Sequence, residues 1–290
     1  MKQIIRIVSP AKAISKDLIN SAIALLEGHN FTVEVSENAS GQHHYFSGTD
    51  EERLADFQAA INDENVDIIL CARGGYGAIR IVDQINYSAL KKKPKLIVGF
   101  SDITVFHHHI NRYLRIPSLH ATMPLNFNHN SKESITSLVR AMNGETNLYE
   151  IPGHESNLAG KAEGELIGGN LAIIYALIGT NSDIDFSDKI LFIEDVGEYI
   201  YTIDRMLWAL EKSGKLNKLK GLIVGGMTNI NDTEIAFGQS VSEIILERVS
   251  VYGYPVCFDF PAGHLDDNRA LVLGRKAMLT VTKKSVTLLN

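Results

Sequence analysis

Lys95-Leu96-Ile97-Val98-Gly99-Phe100-Ser101-Asp102 is the stretch that decides the fold. Its apolar, β-branched beginning predicts a strand over residues 95–99, and the apolar residues between 103 and 110 have the spacing of a helix. A strand that turns directly into a helix is typical of α/β proteins, which bind their ligands at the carboxyl edge of a parallel sheet. Ser101, on the predicted turn, is therefore the first candidate functional residue.

The first half of the chain repeats this alternation of short apolar runs and helical segments. Further strands are predicted at Ile4–Val8, Thr32–Val35 and residues 66–72. Between them, Ser15 caps a predicted helix that reaches about Leu26, and Thr49 with Glu52 forms a capping box for another. This pattern predicts a parallel sheet covered by helices.

The alternation of apolar runs and helical segments becomes irregular after residue 124. A new series of predicted elements then begins in the second half of the chain. A polar stretch at 126–131 precedes a predicted helix at Lys132–Met142 and an aperiodic stretch at 144–160. We therefore predict an N-terminal domain over residues 1–143, a linker over 144–164 and a C-terminal domain over 165–290. Strands of the second half are predicted at residues 189–194, 221–225, 270–273, 277–281 and 286–289, with a helix through 205–208.

The composition excludes several classes of protein. The 290 residues are 45% hydrophobic and 21% charged, with no apolar run long enough to span a membrane. The net charge of -6 argues against a nucleic-acid partner. Cys71 falls in an apolar run, where a small buried thiol is the default, and this cysteine and the distant Cys257 imply no disulfide framework. Residues 1–8 are short and interrupted by Arg6, so they predict a strand rather than a signal sequence, and we expect a cytoplasmic protein.

A glycine loop, Arg73-Gly74-Gly75-Tyr76-Gly77, follows the predicted strand at 66–72. It differs from a dinucleotide-binding motif because Arg80 stands where the third glycine would be, and no Gly-Lys-Ser/Thr sequence follows. Backbone N–H groups in such a loop can hold either a phosphate or an oxyanion, and both alternatives stay open.

Three consecutive histidines raise the possibility of a metal site, but the geometry of a helix argues against it. His107-His108-His109 lie on a predicted helix, where successive side chains point about 100° apart and cannot close on one ion. We expect no metal and no cofactor. His120, at the end of a predicted strand at 116–119, is expected to line the cleft.

Two further segments place ionisable groups next to predicted strands or turns. Glu194 and Asp195 end an apolar strand, where a carboxylate is costly unless it is hydrogen-bonded or functional; the alternative is that one of them caps the next helix. His264 lies on a loop of turn residues, where a surface histidine is the ordinary alternative. The segment around Ser101 resembles half of the Gly-x-Ser-x-Gly nucleophile turn, but Ile103 replaces the second glycine. Ser101 could instead be a helix N-cap, because serine is a leading N-cap residue.

Taken together, these segments resemble the LD-carboxypeptidase family of serine peptidases, also called murein tetrapeptide carboxypeptidases. The similarity runs nearly from end to end, through motifs in the same order. The motifs are Tyr45-Phe46-Ser47-Gly48-Thr49-Asp50-Glu51-Glu52-Arg53-Leu54, Cys71-Ala72-Arg73-Gly74-Gly75-Tyr76-Gly77, Gly99-Phe100-Ser101-Asp102-Ile103-Thr104, Gly168-Gly169-Asn170-Leu171, Ile193-Glu194-Asp195-Val196-Gly197-Glu198, Ile203-Asp204-Arg205 and Gly263-His264.

The resemblance implies a catalytic triad of Ser101, Glu194 and His264. His264 would take the proton of Ser101 and return it to the leaving amine, while Glu194 orients the imidazole. Glu198 is the rival acid if a helix begins early enough to include both glutamates. The oxyanion would be held by the backbone N–H groups of Asp102 and Gly75.

The sequence also suggests residues that bind the substrate. The expected ones are Arg73, Gly74, His120 and Arg205. Arg205 is chosen for its charge, and an ion pair with Asp204 or Glu198 is its structural alternative.

The resemblance also implies a flavodoxin-like N-terminal domain, a smaller mixed α/β C-terminal domain and a homodimer. The implied reaction removes the terminal D-alanine of a murein tetrapeptide, after an L-centre of diaminopimelate or lysine, in cell-wall recycling. Relatives that cleave peptidyl-nucleotide antibiotics of the microcin C type provide a second hypothesis, which the form of the glycine loop disfavours. A third is a non-enzymatic anion-binding protein in which Ser101 is merely an N-cap.

Overall fold

The computed structural model describes residues 2–290, which form two β-sheets with helices packed around them. The strands are β1 Ile4–Val8, β2 Thr32–Val35, β3 Ile68–Cys71, β4 Leu96–Gly99, β5 Ser118–His120, β6 Leu148–Pro152, β7 Gly160–Asn170, β8 Lys189–Val196, β9 Gly221–Thr228, β10 Val256–Cys257, β11 Leu271–Leu273, β12 Lys276–Val281 and β13 Ser285–Leu289. The α-helices are α1 Lys16–Gly28, α2 Asp50–Asn62, α3 Ala78–Ile81, α4 Ser88–Lys92, α5 Thr104–Leu114, α6 Lys132–Met142, α7 Leu171–Ala176, α8 Ile200–Lys212 and α9 Val241–Val249.

The first sheet has the strand order β2-β1-β3-β4-β5-β11. Its first five strands are parallel, and β11 is added antiparallel to β5. The order 2-1-3-4-5 is that of flavodoxin, which confirms the predicted N-terminal fold. Because the chain starts in the middle and winds both ways, the order reverses between β1 and β3. Open α/β sheets bind their ligands beside such a reversal.

The second sheet is mixed and has the order β10-β9-β8-β7-β12-β13-β6. Strands β7 to β10 are parallel, whereas β12, β13 and β6 pair antiparallel. This confirms the predicted mixed α/β class of the second half. Strand β6 and the beginning of β7 lie within residues 144–164, so part of the segment predicted as a linker is sheet. The proposed domain limits stay a prediction.

Local sequence explains where the principal helices begin. Thr49 accepts a hydrogen bond from the Glu52 backbone N–H and Glu52 reciprocates, so the predicted capping box of α2 is confirmed. Ser131 caps α6 through the Ser134 N–H, and this helix has the predicted bounds. Ser15 precedes α1 as expected, but its side chain makes no capping hydrogen bond within residues 2–290.

Contacts between the two halves hold the ends of their sheets together. The Thr104 hydroxyl, at the start of α5, accepts a hydrogen bond of 3.1 Å from the backbone N–H of Asn170, at the end of β7. The His120 ring, at the end of β5, packs edge-on against Phe192 of β8, with ring centroids 4.8 Å apart. The carboxyl ends of strands from both sheets therefore meet, and this is where the predicted site residues lie.

Two further predictions concern membranes and disulfides. No helix in residues 2–290 is both long and apolar enough to cross a membrane. Cys71 and Cys257 are both free and buried. Burial raises the pKa of the Cys257 thiol to about 12, and it raises that of Cys71 still further, so neither is a reactive thiol.

Candidate active site

Ser101 lies on a strained turn between β4 and α5. It begins a short 3-10 turn, Ser101–Ile103, and has a φ of 62°, in the left-handed region that residues other than glycine rarely adopt. Strained turns of this kind expose the nucleophile of α/β hydrolases at the top of the sheet. Within residues 2–290 its side chain makes no hydrogen bond and caps no helix. The hypothesis that Ser101 is merely an N-cap therefore loses its basis.

Glu194 and His264 form a buried, directed pair. Glu194 is fully buried near the end of β8, and its Oε2 accepts a hydrogen bond of 2.7 Å from His264 Nδ1 and one of 3.2 Å from the His264 backbone N–H. Because a carboxylate can only accept, Nδ1 carries a proton and Nε2 of the neutral ring is left as a proton acceptor. Such an imidazole is oriented to act as a general base.

The pKa of His264 is set by two opposing effects. Burial disfavours the imidazolium, but the hydrogen bond and negative charge of Glu194 outweigh it, so the pKa of His264 lies above its usual value. Gly263 allows the close approach: its φ is 108°, and a Cβ there would lie 2.7 Å from Glu194 Oε2. Glycine is therefore needed beside the histidine.

His264 lies beside the nucleophile turn. Its ring packs edge-on against Phe100, the neighbour of Ser101, with centroids 4.8 Å apart. In residues 2–290 no hydrogen bond joins Ser101 Oγ to His264. Three separate elements thus bring the predicted serine, glutamate and histidine to one place, with the serine and histidine adjacent but not hydrogen-bonded, as in many substrate-free sites.

Asp195, next to Glu194, has a structural position. Its carboxylate accepts hydrogen bonds from Asn170 Nδ2 at 3.0 Å, the Ala172 N–H at 2.9 Å and the Val196 N–H at 2.8 Å. Asp195 therefore anchors the beginning of α7. Of the two adjacent carboxylates, it is the one with the structural role at a helix start that the sequence offered as an alternative. Burial raises the pKa of Asp195 to about 6.

Glu198 lies outside the arrangement around His264. Because β8 continues to Val196 and α8 begins only at Ile200, no helix includes both Glu194 and Glu198. Glu198 was an alternative to Glu194 as the acid of the triad only if both lay on one face of a helix, and they do not. Across the part of the chain that the structure describes, the side chain of Glu198 makes no hydrogen bond to His264.

The glycine loop, residues 73–77, lies directly against the nucleophile turn. A Cβ on Gly74 would lie 3.0 Å from Ser101 Cβ and 3.3 Å from the Asp102 nitrogen. The buried Asp102 carboxylate accepts a 2.8 Å hydrogen bond from the Ala78 N–H, which ties the far end of the loop to the turn. Burial raises the pKa of this carboxyl group. The N–H groups of Gly75 and Asp102 have no hydrogen-bond partner within residues 2–290, so both are available to an oxyanion.

The four expected substrate-binding residues have different surroundings. Gly74 and Arg73 lie beside the turn, and Arg73 donates a 2.9 Å hydrogen bond to the Ala13 carbonyl. Arg205 is exposed over the Tyr201 ring, 5.3 Å from its centroid, and forms no ion pair with Asp204 or any other residue of the described chain.

His120 does not line the cleft. It is fully buried between Phe100 and Phe192, and neither ring nitrogen has a partner in residues 2–290. Burial, with smaller effects from His107 and His264, lowers the pKa of His120 well below its usual value. The ring is therefore a neutral part of the packing beneath the site.

The three consecutive histidines point to different neighbours. His107 contacts Ser118 Oγ at 2.9 Å and the Gly99 carbonyl at 2.8 Å. His109 contacts Ser182 Oγ at 3.0 Å, whereas His108 packs near Phe186. Their divergence agrees with the geometric argument from helical spacing.

Sequence reasoning missed the residues that hold the site together. Thr104 and Asn170 join the two halves, and Asn170 also supports Asp195. Lys12 donates its backbone N–H to the Gly74 carbonyl at 3.3 Å, beside the nucleophile turn. The motif Gly168-Gly169-Asn170 could have indicated the contact between Asn170 and Thr104. Lys12 lies in no motif, so nothing in the sequence indicated its role.

An oriented imidazole, a serine on a strained turn and free backbone N–H groups are what acyl transfer by a serine nucleophile requires. The fold and the site together define a two-sheet α/β serine hydrolase. Residues 5–121 match the family model of the LD-carboxypeptidase N-terminal domain, and residues 163–279 match that of the C-terminal domain. The chain belongs to the LD-carboxypeptidase family and is a serine carboxypeptidase.

Several relatives match nearly the whole chain. A probable murein peptide carboxypeptidase of Bacillus subtilis is 31% identical, over 97% of this chain and 90% of the relative. The murein tetrapeptide carboxypeptidase of Pseudomonas aeruginosa is 29% identical, over 95% and 92%. The crystal structure of muramoyltetrapeptide carboxypeptidase from Oxalobacter formigenes superposes with a TM-score of 0.90 at 27% identity, over 99% of this chain and 98% of that one.

The microcin self-immunity protein MccF has the same fold. Its structure superposes with a TM-score of 0.88 at 20% identity, over 100% of this chain and 96% of that one. At this level of identity the similarity concerns the fold alone.

Proposed function

We propose that this protein hydrolyses the amide between the third residue of a murein tetrapeptide and its terminal D-alanine, with Ser101, Glu194 and His264 as the catalytic triad. The observation that carries the proposal is the 2.7 Å hydrogen bond from His264 Nδ1 to the buried Glu194, beside the strained serine turn. The names of the Bacillus, Pseudomonas and Oxalobacter relatives support the choice of substrate.

Acylation begins with proton transfer from Ser101. Nε2 of His264 removes the hydroxyl proton as Oγ attacks the carbonyl carbon before the D-alanine. The imidazolium that forms is stabilised by Glu194, which keeps its negative charge. The N–H groups of Asp102 and Gly75 stabilise the negative oxygen of the tetrahedral intermediate.

Collapse of the tetrahedral intermediate completes acylation, and water then hydrolyses the acyl-enzyme in deacylation. The imidazolium gives its proton to the nitrogen of D-alanine, which leaves as the C–N bond breaks and the acyl group stays on Ser101. A water molecule then enters, His264 takes one of its protons, and the hydroxide attacks the ester. The tripeptide is released with a free carboxylate, and Ser101 recovers its proton.

Product analysis by mass spectrometry tests the proposal. The purified protein is incubated with murein tri-, tetra- and pentapeptides, and we expect free D-alanine and tripeptide from the tetrapeptide alone. Ser101→Ala should abolish the release. Undiminished release by Ser101→Ala would remove the nucleophile, whereas cleavage of a peptidyl-nucleotide sulfamate in preference to the tetrapeptide would support the microcin-type alternative.

We further propose a cytoplasmic homodimer that acts in cell-wall recycling. The support is the resemblance to the family. Light scattering of the purified protein measures the mass against 32.0 kDa for one chain. Fractionation of cells that produce it tests the location.

A further inference from the structure

A cavity of about 520 Å³ opens at the carboxyl edge of the first sheet, outside the triad. Its walls come from the segment after β1, which carries Lys12, and from the end of β3, which is followed by Arg73. The N-terminus of α1 and the segment at residues 40–45 complete it. This is the point between β1 and β3 at which the strand order reverses, where doubly wound sheets bind ligands.

The cavity is lined by cations without counterions. Lys12 and Arg73 are half-buried, and neither forms an ion pair in residues 2–290. Lys16 stands at the rim, and none of the eleven lining residues is acidic. A half-buried cation that lacks a carboxylate partner is unusual, because desolvation is normally offset by an opposite charge. The charge and shape of this cavity suit a carboxylate ligand.

The cavity shares a wall with the nucleophile turn. The backbone N–H of Lys12 donates to the Gly74 carbonyl at 3.3 Å, and Gly74 abuts Ser101. A Cβ on Gly75 would lie 2.8 Å from Lys12 Cβ and 3.1 Å from the Tyr45 hydroxyl. Lys12 Nζ lies over the Tyr45 ring, 4.7 Å from its centroid, which holds the ammonium group on the cavity side of the glycine loop.

We propose that Lys12 and Arg73 bind the free C-terminal carboxylate of the peptide substrate, an assignment that rests on the proposed function. A carboxypeptidase must recognise a chain end that is one residue from the scissile bond, so its carboxylate lies roughly 4 Å from the attacked carbonyl carbon. A cation is therefore needed beside the oxyanion loop, and this cavity supplies two. The bound carboxylate aligns the scissile amide on Ser101 and excludes peptides that continue past the terminal residue.

A murein peptide also has carboxylates elsewhere, such as the side-chain carboxylate of diaminopimelate. These groups have the same chemistry as the chain end, so the test must separate them. Tetrapeptides with lysine at the third position lack this side-chain group and provide the comparison.

Enzyme and substrate are therefore altered together. The free tetrapeptide and its C-terminal amide are compared on the wild type, Lys12→Met and Arg73→Gln, each with diaminopimelate or lysine at the third position. A hydrogen bond to a charged group corresponds to roughly a 10- to 100-fold effect on kcat/KM. We expect the wild type to lose about this factor when the substrate is amidated. Each variant should lose it on the free acid and then discriminate less than about threefold between acid and amide.

Lys91→Met is the matched control. Lys91 is an exposed lysine on α4, which precedes β4 and so lies at the opposite edge of the sheet. This variant should keep the wild-type ratio between acid and amide. A Lys12→Met enzyme that still discriminates like the wild type overturns the assignment. The assignment is also overturned if the variants lose activity only on peptides with diaminopimelate, whether the terminal carboxylate is free or amidated.

Binding measurements separate this assignment from the proposed reaction. Isothermal titration of Ser101→Ala and of Ser101→Ala/Lys12→Met with the free tetrapeptide and its amide needs no turnover. We expect the single variant to prefer the free acid about 10- to 100-fold and the double variant to lose that preference. If the wild type releases no D-alanine while this preference is seen, the proposed reaction fails and the carboxylate site stands. Equal affinity for acid and amide, or no binding of either, overturns the site.

Discussion

Replacing Glu194 with Gln removes a charge but almost no volume at a fully buried position. Glu194 accepts two hydrogen bonds from His264, one from Nδ1 at 2.7 Å and one from the backbone N–H at 3.2 Å. A hydrogen bond to a charged group contributes about 1.5–3 kcal/mol, and of these two bonds only the one from Nδ1 involves the ring that becomes an imidazolium. Loss of this bond alone should lower kcat by roughly 10 to 10², and loss of the correct tautomer should lower it further. A comparable triad loses about 10⁴ from the same kind of change.

The assay is steady-state release of D-alanine from the tetrapeptide as a function of pH. Because Glu194 raises the pKa of His264, the acid limb of kcat/KM in the wild type should have a midpoint above about 6.5. In Glu194→Gln burial is opposed only by the smaller effect of the Asp195 charge, so the midpoint should move to lower pH. Glu198→Gln is the control and should lose less than tenfold. A loss below about tenfold in Glu194→Gln, or about 1.4 kcal/mol, would refute the role of an orienting acid.

Three other predictions test the surroundings of the triad. Gly263→Ala introduces a Cβ 2.7 Å from Glu194 Oε2, so we expect it to lose about 1–3 kcal/mol of unfolding free energy in urea together with activity; wild-type stability and turnover would contradict the close approach. His120→Phe replaces two buried, unpartnered nitrogens with carbon, so its unfolding free energy should stay within about 1 kcal/mol of wild type and its KM should not change. A tenfold rise in the KM of His120→Phe would instead indicate that His120 contacts the substrate. Because the folded pKa of His264 is raised, the His264–Glu194 pair should stabilise the fold fully below the unfolded pKa of about 6.5 and less as pH rises through the folded pKa. Denaturation of the wild type and His264→Gln at several pH values measures this, and a difference that grows with pH would reverse the sign.

Periodicity and capping were enough to predict most elements of the fold. The strand at 95–99, the capping box of α2 and the bounds of α6 depend on neighbouring residues alone, and the structure has them as expected. The strand β6 was missed because it is a five-residue edge strand that exposes Leu148 and ends in Pro152, so its sequence does not show the alternation that its burial has. Its pairing with β13 depends on residues more than a hundred positions away, which no local pattern reveals.

Sequence motifs were enough to predict which residues lie at the site. They could not predict the role of a residue where that role depends on tertiary packing. Glu194 and Asp195 are adjacent carboxylates, and only the direction of each side chain at the end of β8 separates the one that meets His264 from the one that anchors α7. His120 ends a strand at the functional edge, as expected. It is nevertheless covered by Phe192 from the other half of the chain, a contact that no sequence spacing could indicate.

The antiparallel strand β11 has a consequence for the order in which the protein can assemble during translation. Leu271–Leu273 pairs with β5, the strand next to the one that leads to Ser101, yet β5 ends at His120 and is made long before residue 271. While the ribosome is still making the second half, β5 therefore has an unpaired edge, which is a site for aggregation. A polypeptide that stops before residue 271 would keep that edge open permanently. The first sheet is therefore completed only after residue 273 has been made. A gene split near residue 143 should give a first fragment that stays soluble only when the second is made in the same cell.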